Sequence, residues 1–329
     1  MPILRLDAAH RLATDTLVRC GTAPANAESV ARALVAAEAD GLRTHGLMRL
    51  LAYGEQVRAG KVVGDAVVTS ARPKPGLLAI DATYGFAYPA LDTAIALLPE
   101  IARAQGIAAA AIRRSHHCGA AGRPVEALAE RGLVAILFAN APASMAPWGG
   151  TRPVFGTNPI AFACPLPGAE PVIVDLSLSK VARGNIITAK QRGEAIPEGW
   201  ALDAEGNPTT DPVAALAGTM VPLGDAKGTA LALMVELLAA GLTGARFASE
   251  ATSFLDAEGG PPATGQLILA IDATAFAGNA LERFAVMARS VAEQDGARLP
   301  GTRRFAARAR AAEEGITLSE TLLAEIERL

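Results

Sequence analysis

The chain has 329 residues, a formal net charge of −3 and 51% hydrophobic residues. That length provides for two domains, or one large domain with an excursion, and buries a sizeable core without covalent staples. A near-neutral balance argues against a nucleic-acid partner, and three cysteines with no C-x-x-C pair (Cys20, Cys118, Cys164) indicate neither a disulfide framework nor a metal site.

The opening stretch, MPILRLDAAHRLATD, is charged by residue 5 and lacks the apolar centre of a secretory signal, which fits a cytoplasmic protein. The first 60 residues read as helical. ANAESVARALVAAEADG (25–41) repeats apolar residues at Val30, Ala33, Leu34 and Ala37 and stops on Gly41. HGLMRLLAYGEQVRAG (45–60) puts Leu47, Leu50 and Leu51 on one face and stops on Gly60. After ARPKPG the pattern changes to a short apolar run (77–81), a helix (86–106), a buried strand (107–113), a helix (122–132) and further strands at 133–140, 159–165 and 171–177. This alternation predicts an α/β fold with a sheet covered on both faces. Residues 189–216 are turn-rich and are expected to wrap the surface. GTALALMVELLAAGLTG (228–244) carries Glu236 in its middle and is bounded by glycine, so a buried helix is expected, not a membrane span. A strand (265–272) and a helix (280–294) complete the sheet region, and the chain then returns to helix. The expected division is an N-terminal helical domain (1–70), an α/β cofactor- and substrate-binding domain (71–290) and C-terminal helices (291–329) packing on the N-terminal domain.

Five segments carry candidate chemistry. On a helix running from residue 45, His45, Arg49, Ala52 and Gln56 share one face, away from the leucines. Histidine exchanges its proton near neutral pH, and arginine is a fork for a carboxylate. Together they suit a carbonyl or imine substrate bearing a carboxylate; the same spacing also fits a solvated i,i+4 pair. Thr44 is placed to hydrogen-bond the imidazole or to cap the helix. RRSHHCGAAGRP (113–124) joins a strand to a helix, where ligands of α/β proteins collect, although an ordinary turn reads the same way. Its adjacent His116 and His117 cannot both face one point on an extended chain, so one is expected to face a ligand and the other to pack. APWGGTRPVFGTNPIAF (146–162) is either a shaped wall or turn chemistry alone. VDLSLSKVARG (174–184) ends a strand and is expected to open a helix. There Ser177 and Ser179 hold phosphate oxygens with help from Lys180 or Arg183, or Ser177 merely caps. Lys227 heads the apolar helix, where the dipole favours an anion. G-x-G-x-x-G occurs nowhere, so a bound dinucleotide would not be held by the Rossmann fingerprint.

In order, H-G-x-x-R, S-x-H-x-G-A-A-G, A-P-W-G-G…F-G-T-N-P, D-x-S-x-S-x-x-A-x-G, I-P-x-G-W-A-x-D…G-x-P-T-T-D-P and G-x-x-K-G resemble the malate/L-lactate dehydrogenase family of NAD(P)-dependent enzymes, over about residues 10 to 305. The resemblance implies a non-Rossmann, mixed-sheet α/β domain with a helical domain built from both termini. It also implies a homodimer, no metal, no membrane, a small carboxylate substrate, and NADPH as cofactor with NADH as the alternative. By the same resemblance His45 is the proton donor with Thr44 beside it, Arg49 is the carboxylate ligand, His117 lies beside substrate and nicotinamide, and Thr157 lines the substrate pocket. Asp175, Leu176, Ser177, Leu178 and Ser179 match cofactor-contacting stretches, as do Ala226, Lys227 and Gly228, and Pro300, Gly301 and Thr302. There are departures: Thr44 stands where many members have serine, Asp225 and Ala226 where some have histidine or tryptophan, and Asn185 where relatives have an acid or lysine. AIRRSHHCGA, FGTNPIAFACP, TGQLILAID and RLPGTRR look nearest to the branch that reduces Δ1-piperideine-2-carboxylate or Δ1-pyrroline-2-carboxylate to L-pipecolate or L-proline. VDLSLSKVARG and EGWALDAEGNPTTDP also recur among 2-hydroxyacid dehydrogenases of malate, sulfolactate or lactate type, which is the alternative. In either case hydride reaches C2 while Arg49 holds the carboxylate; His45 protonates a developing alkoxide, or orients a cyclic imine.

Overall fold

The computed structural model describes residues 2–329. In chain order the elements are β1 (Ile3–Leu4), α1 (Leu6–Arg19), α2 (Pro24–Ala39), α3 (Arg49–Arg58), β2 (Thr69–Lys74), β3 (Leu77–Asp81), α4 (Ala87–Gln105), β4 (Ile107–Ser115), α5 (Gly122–Ala129), β5 (Leu133–Ala139), β6 (Ile160–Leu166) and β7 (Ala169–Leu176). They continue with α6 (Arg183–Arg192), β8 (Ala201–Leu202), β9 (Pro208–Thr209), α7 (Pro212–Ala217), β10 (Thr219–Met220) and α8 (Ala226–Glu236), which runs into a π-turn at Leu237–Gly241. The chain then forms β11 (Thr264–Asp272), α9 (Ala280–Ala292), α10 (Thr302–Glu314), β12 (Ile316–Thr317) and α11 (Glu320–Arg328). Local chemistry fixes several ends. Pro24 begins α2, the Asp211 carboxylate accepts from the Val213 and Ala214 amides to cap α7, and the Ser319 hydroxyl caps α11.

The expected α/β architecture is present, built on a mixed seven-stranded sheet in the order β2-β3-β4-β11-β5-β6-β7. β3 and β4 are parallel; every other neighbouring pair is antiparallel. β11, the last long strand in sequence, sits at the centre, and its near-continuous apolar run reflects burial on both faces. On one face α4 and α5 bring Leu91, Leu98, Val125 and Leu128 against Ile80, Ile112, Leu137 and Ile268. On the other, α8 and the excursion carrying β8–β10 bury Val235, Ala239, Met220 and Ile196 with Phe138 and Leu267. A third core draws on both ends of the chain: Leu17, Val30, Leu34 and Leu50 pack with Ala311, Ile316, Leu318 and Ile326, joined by Phe86 and Tyr88 from the start of α4. β1 pairs antiparallel with β12 and ties the two ends together.

The structure corrects four local expectations. The helix expected from residue 45 begins at Arg49, preceded by a single 3-10 turn at Arg43–His45. The break lets Gly46 lie directly on Glu38 of α2, whose carboxylate accepts from the Leu47 amide at 2.9 Å; a Cβ at Gly46 would clash with that carboxylate. No helix opens at Ser177, because α6 starts only at Arg183. The 228–244 segment is buried on one side alone: Ala232, Val235 and Glu236 face the core, whereas Leu231, Leu233, Met234 and Leu237 are exposed. The exposed edge strand β2 lacks alternating apolar residues and gave no strand signal. Among the described residues no helix is long and apolar enough to cross a membrane.

Candidate active site

The 3-10 turn and the first turn of α3 bring His45 and Arg49 together by a route other than a shared helical face. Arg49 folds back so that its Nε donates to the Thr44 carbonyl at 2.7 Å, while the Thr44 hydroxyl lies 3.1 Å from His45 Nδ1. The His45 ring stacks on His117, centroids 5.4 Å apart and 21° between planes. Three of the residues singled out in sequence thus converge with Thr44. Gln56, assigned to the same face, is instead fully buried, and its amide donates to the Asp256 carbonyl at 2.9 Å.

The electrostatics of this cluster are unusual. Arg49 has no acidic partner among the described residues. Burial pushes His45 well below the usual histidine range, and the Arg49 guanidinium pushes it further; the Asp175 carboxylate pulls in the opposite direction. Burial and then Arg49 act likewise on His117, which is lowered well below its ordinary value, and on His116, lowered to about 3. The result is a fixed cation among neutral imidazoles, a place where an arriving anion is favoured.

The paired histidines, just past the end of β4, have different surroundings. His117 faces His45 and is held by the Tyr53 hydroxyl, 2.9 Å from its Nδ1. His116 is packed among Tyr53, Phe86 and Phe254, and neither of its ring nitrogens has a partner.

The stretches expected to contact the cofactor are linked to one another. The Asp175 carboxylate accepts from the Gly122 amide at 2.8 Å and from Arg304 Nη2 at 2.9 Å. Gly122 must lack a side chain here, since a Cβ would collide with Arg304 Nη1. Leu178 is wholly buried, its amide donating to the Thr157 carbonyl and its carbonyl accepting from Leu223, each at 2.8 Å. Leu178 therefore staples the Thr157 turn to the start of α8, with no polar group of its own to spare. Ser177 and Ser179 bond to one another at 3.0 Å, and the exposed Leu176 ends β7 beside them. Ala226 and Lys227 stand exposed in the first turn of α8 above the buried Gly228. Pro300 is tied to Ile173 of β7; Gly301, at φ +94°, opens α10, and the Thr302 hydroxyl donates to the Leu299 carbonyl at 3.0 Å. Two cations here have donors to spare: Lys227, without an ion pair among the described residues, and Arg304, which is paired to Asp175 but whose Nη1 is buried without a hydrogen-bond partner. A cation with a spare donor at a helix start suits an anionic group such as a phosphate.

Four residues at the site were not singled out in sequence: Tyr53, Tyr88, Phe254 and Arg304. Two of them had a signal. Tyr53 is one of only three tyrosines and lies four residues after Arg49, and Arg304 falls two residues past Thr302 in RLPGTRR. Phe254 had none, being brought in by a loop nearly 140 residues from His116 (254 against 116).

Comparison with known proteins gives the same grouping. The malate/L-lactate dehydrogenase family profile matches residues 4–327. A (2R)-3-sulfolactate dehydrogenase (NADP(+)) from Chromohalobacter salexigens is 52% identical over 98% of this chain and 97% of its own length. A Δ1-pyrroline-2-carboxylate reductase from Pseudomonas fluorescens is 42% identical over 99% and 98%. Among solved structures, Δ1-piperideine-2-carboxylate reductase from Pseudomonas syringae superimposes with a TM-score of 0.94 at 37% identity, covering 100% of this chain and 99% of that one. The chain belongs to the malate/L-lactate dehydrogenase family and is an NAD(P)-dependent oxidoreductase.

Proposed function

We propose that this protein reduces a small 2-oxo acid with NADPH, running reversibly as a 2-hydroxyacid dehydrogenase, and that its substrate carries a second anionic group, as sulfopyruvate does. The observation that carries the reading is Arg49, a half-buried guanidinium with no acid of its own, bonded to Thr44 beside His45 and His117. Arg49 holds the substrate carboxylate through paired N–H donors. Burial and then the Arg49 guanidinium keep His45 deprotonated, and seating that carboxylate offsets the second of these. His45 then takes up a proton and delivers it to the oxygen that becomes the alkoxide. NADPH supplies the hydride to C2. Lys227 and Arg304 Nη1 would hold its phosphates, and Thr157 would line the substrate pocket.

The second anion is supported by the 52% identical sulfolactate dehydrogenase and by Arg183. Arg183 opens α6, has no ion pair among the described residues, and its Nε is buried without a partner there. The adjacent Gly184 rests against the Thr44 side chain. The NADP(+) in that relative's name supports NADPH over NADH. A second reading, reduction of a cyclic ketimine, is favoured by the pyrroline-2-carboxylate reductase relatives and by the 0.94 superposition. We also propose a homodimer, whose interface is the exposed apolar side of the α8 region: Leu231, Met234, Leu237, Leu242 and Phe247. Steady-state rates with sulfopyruvate, oxaloacetate, pyruvate, Δ1-pyrroline-2-carboxylate and Δ1-piperideine-2-carboxylate, each with NADPH and NADH, test this. The reading expects kcat/KM highest for sulfopyruvate with NADPH; a preference for either cyclic imine replaces it with the second reading.

A further inference from the structure

Behind His117 lies a chain of two phenols. Tyr53 Oη is 2.9 Å from His117 Nδ1 and 3.1 Å from Tyr88 Oη. Both tyrosines are buried, and burial raises both phenols, Tyr53 to about 12, so each keeps its hydrogen. Gly119 closes over the Tyr88 hydroxyl, where a Cβ would stand 2.7 Å from Oη.

Two contacts and two hydroxyl hydrogens restrict the possible arrangements. If Tyr88 donates to Tyr53, and Tyr53 donates to Nδ1, every hydroxyl hydrogen is used. If Nδ1 carries a hydrogen and donates to Tyr53, then one phenol, Tyr53 or Tyr88, keeps a buried hydrogen with no acceptor among the described residues. Buried donors are rarely left so. The first arrangement leaves Nδ1 bare and puts the imidazole proton on Nε2. Nε2 is the ring nitrogen that Tyr53 does not hold, and unlike both nitrogens of His116 it is not sealed from the pocket.

We infer that Tyr53, backed by Tyr88, is a positioning residue that locks His117 as its Nε2–H tautomer, so that His117 adds a hydrogen-bond donor to the Arg49 fork and the proton carried by His45. Such a pocket matches a 2-oxo acid, whose carboxylate and carbonyl are acceptors throughout. It opposes a protonated cyclic imine, which is a cation and a donor at the very atom to be recognised. The inference rests on the reading of this pocket as the substrate site.

The tautomer is observable without turnover. Two-bond 1H–15N spectra of protein labelled in histidine, with His117 assigned by its absence in His117→Gln, are expected to show Nδ1 bare and Nε2 protonated near neutral pH. An Nδ1–H signal in the wild-type protein overturns the lock. In Tyr53→Phe, which keeps the ring but removes the hydroxyl that donates to Nδ1, a mixture of both tautomers is expected, and an unchanged spectrum overturns the role of Tyr53; in Tyr88→Phe the Tyr53 hydrogen still has Nδ1 as its acceptor, so the bare Nδ1 is expected to stay. For selectivity, Tyr53→Phe is expected to raise KM for the 2-oxo acid at least fivefold while changing KM for the cyclic imine less than twofold. Equal changes in both overturn that half of the inference. If the spectra show the locked tautomer and neither substrate class is turned over by the wild-type protein, the lock stands and the functional reading falls.

Discussion

Two clusters of buried charge lie side by side in this molecule and are built on opposite plans. In one, Arg123, Arg304 and Arg308 meet Asp40, Glu126 and Asp175. Arg308 bridges Asp40, at 2.8 Å from its Nε, and Glu126, at 3.0 Å from its Nη2, while Arg304 reaches Asp175 at 2.9 Å. Three cations face three acids, the Asp40 and Glu126 side chains are almost completely buried, and the network fastens α10 to α2, α5 and β7. In the other cluster Arg49 has three histidines around it and no ion-pair partner among the described residues. The first is balanced in charge as folded, with Arg304 Nη1 as a spare donor; the second carries a positive charge that no acid pairs among the described residues. The Arg304–Asp175 pair belongs to the first but acts electrostatically on His45, so the two meet at the end of β7. A balanced network is what stability asks of buried charge; an unbalanced one signals a ligand.

The largest difference between the clusters concerns rate. Removing the imidazole in His45→Ala is expected to lower kcat by roughly two to four decades, the usual contribution of a positioned general acid, with little change in thermal unfolding. Unaltered turnover would remove His45 from the chemistry and reduce the cluster to packing. In the balanced network the sensitivity is reversed. Asp40→Asn leaves Arg308 short of a buried partner and is expected to cost about 3 to 5 kcal/mol in denaturant unfolding, with kcat changed far less than by His45→Ala. A loss below about 1 kcal/mol would show the network to be solvated, as surface pairs are.

A smaller effect tests the geometry of the open cation. Arg49→Lys keeps the charge but loses both the fork and the Nε bond to the Thr44 carbonyl. KM for the substrate is expected to rise on the order of tenfold or more, because a point charge does not replace paired donors. A KM within twofold of the wild-type value would mean that Arg49 does not grip the carboxylate.

The contrast also explains what could be read from sequence. The apolar strands β4, β5 and β11 and the helices α4 and α5 were legible because periodicity reports burial directly. His45, Arg49 and His117 were legible as residue types in a familiar order. Their mutual position was not: the expected shared helical face fails at Gly46, where the chain breaks to pack on Glu38, and the Arg49–Thr44 bond restores the proximity in another way. Ser177 was read as a helix start because serine after a strand is a good cap, yet its hydroxyl is taken by Ser179 and the helix begins six residues later (177 to 183). The balanced network was invisible, since its members are spread from Asp40 to Arg308 and only tertiary packing brings them together.

The smallest effect separates the open cluster's substrate side from its packing side, through pH. His116 has a pKa of about 3 in the folded protein, because burial and then the charges of Arg49 and Lys61 disfavour the imidazolium. An unfolded histidine titrates near 6.5, at about the ordinary value. Above that pH both states are neutral and His116 contributes nothing to pH dependence. Below it the unfolded chain binds a proton that the folded one refuses, so stability falls as pH falls, down to about pH 3 where the native ring protonates. One residue accounts for about 1.4 kcal/mol per pH unit inside that window. His116→Leu removes it with little other loss, because neither ring nitrogen has a partner and the bonds from Thr264 and Gln266 go to the His116 carbonyl. Denaturant unfolding at pH 8 and pH 5.5 is therefore expected to fall less steeply for His116→Leu than for the wild-type protein, by about 1.4 kcal/mol over the one unit below 6.5. His117→Gln and His45→Ala flatten it in the same direction. On the proposed reading their effect extends to activity, because they would also remove groups that face the substrate, whereas His116→Leu should leave the pH profile of kcat/KM in place. Identical acid sensitivity in His116→Leu and wild type would mean that the buried ring protonates freely, and the division of labour between the two neighbouring histidines would fail with it.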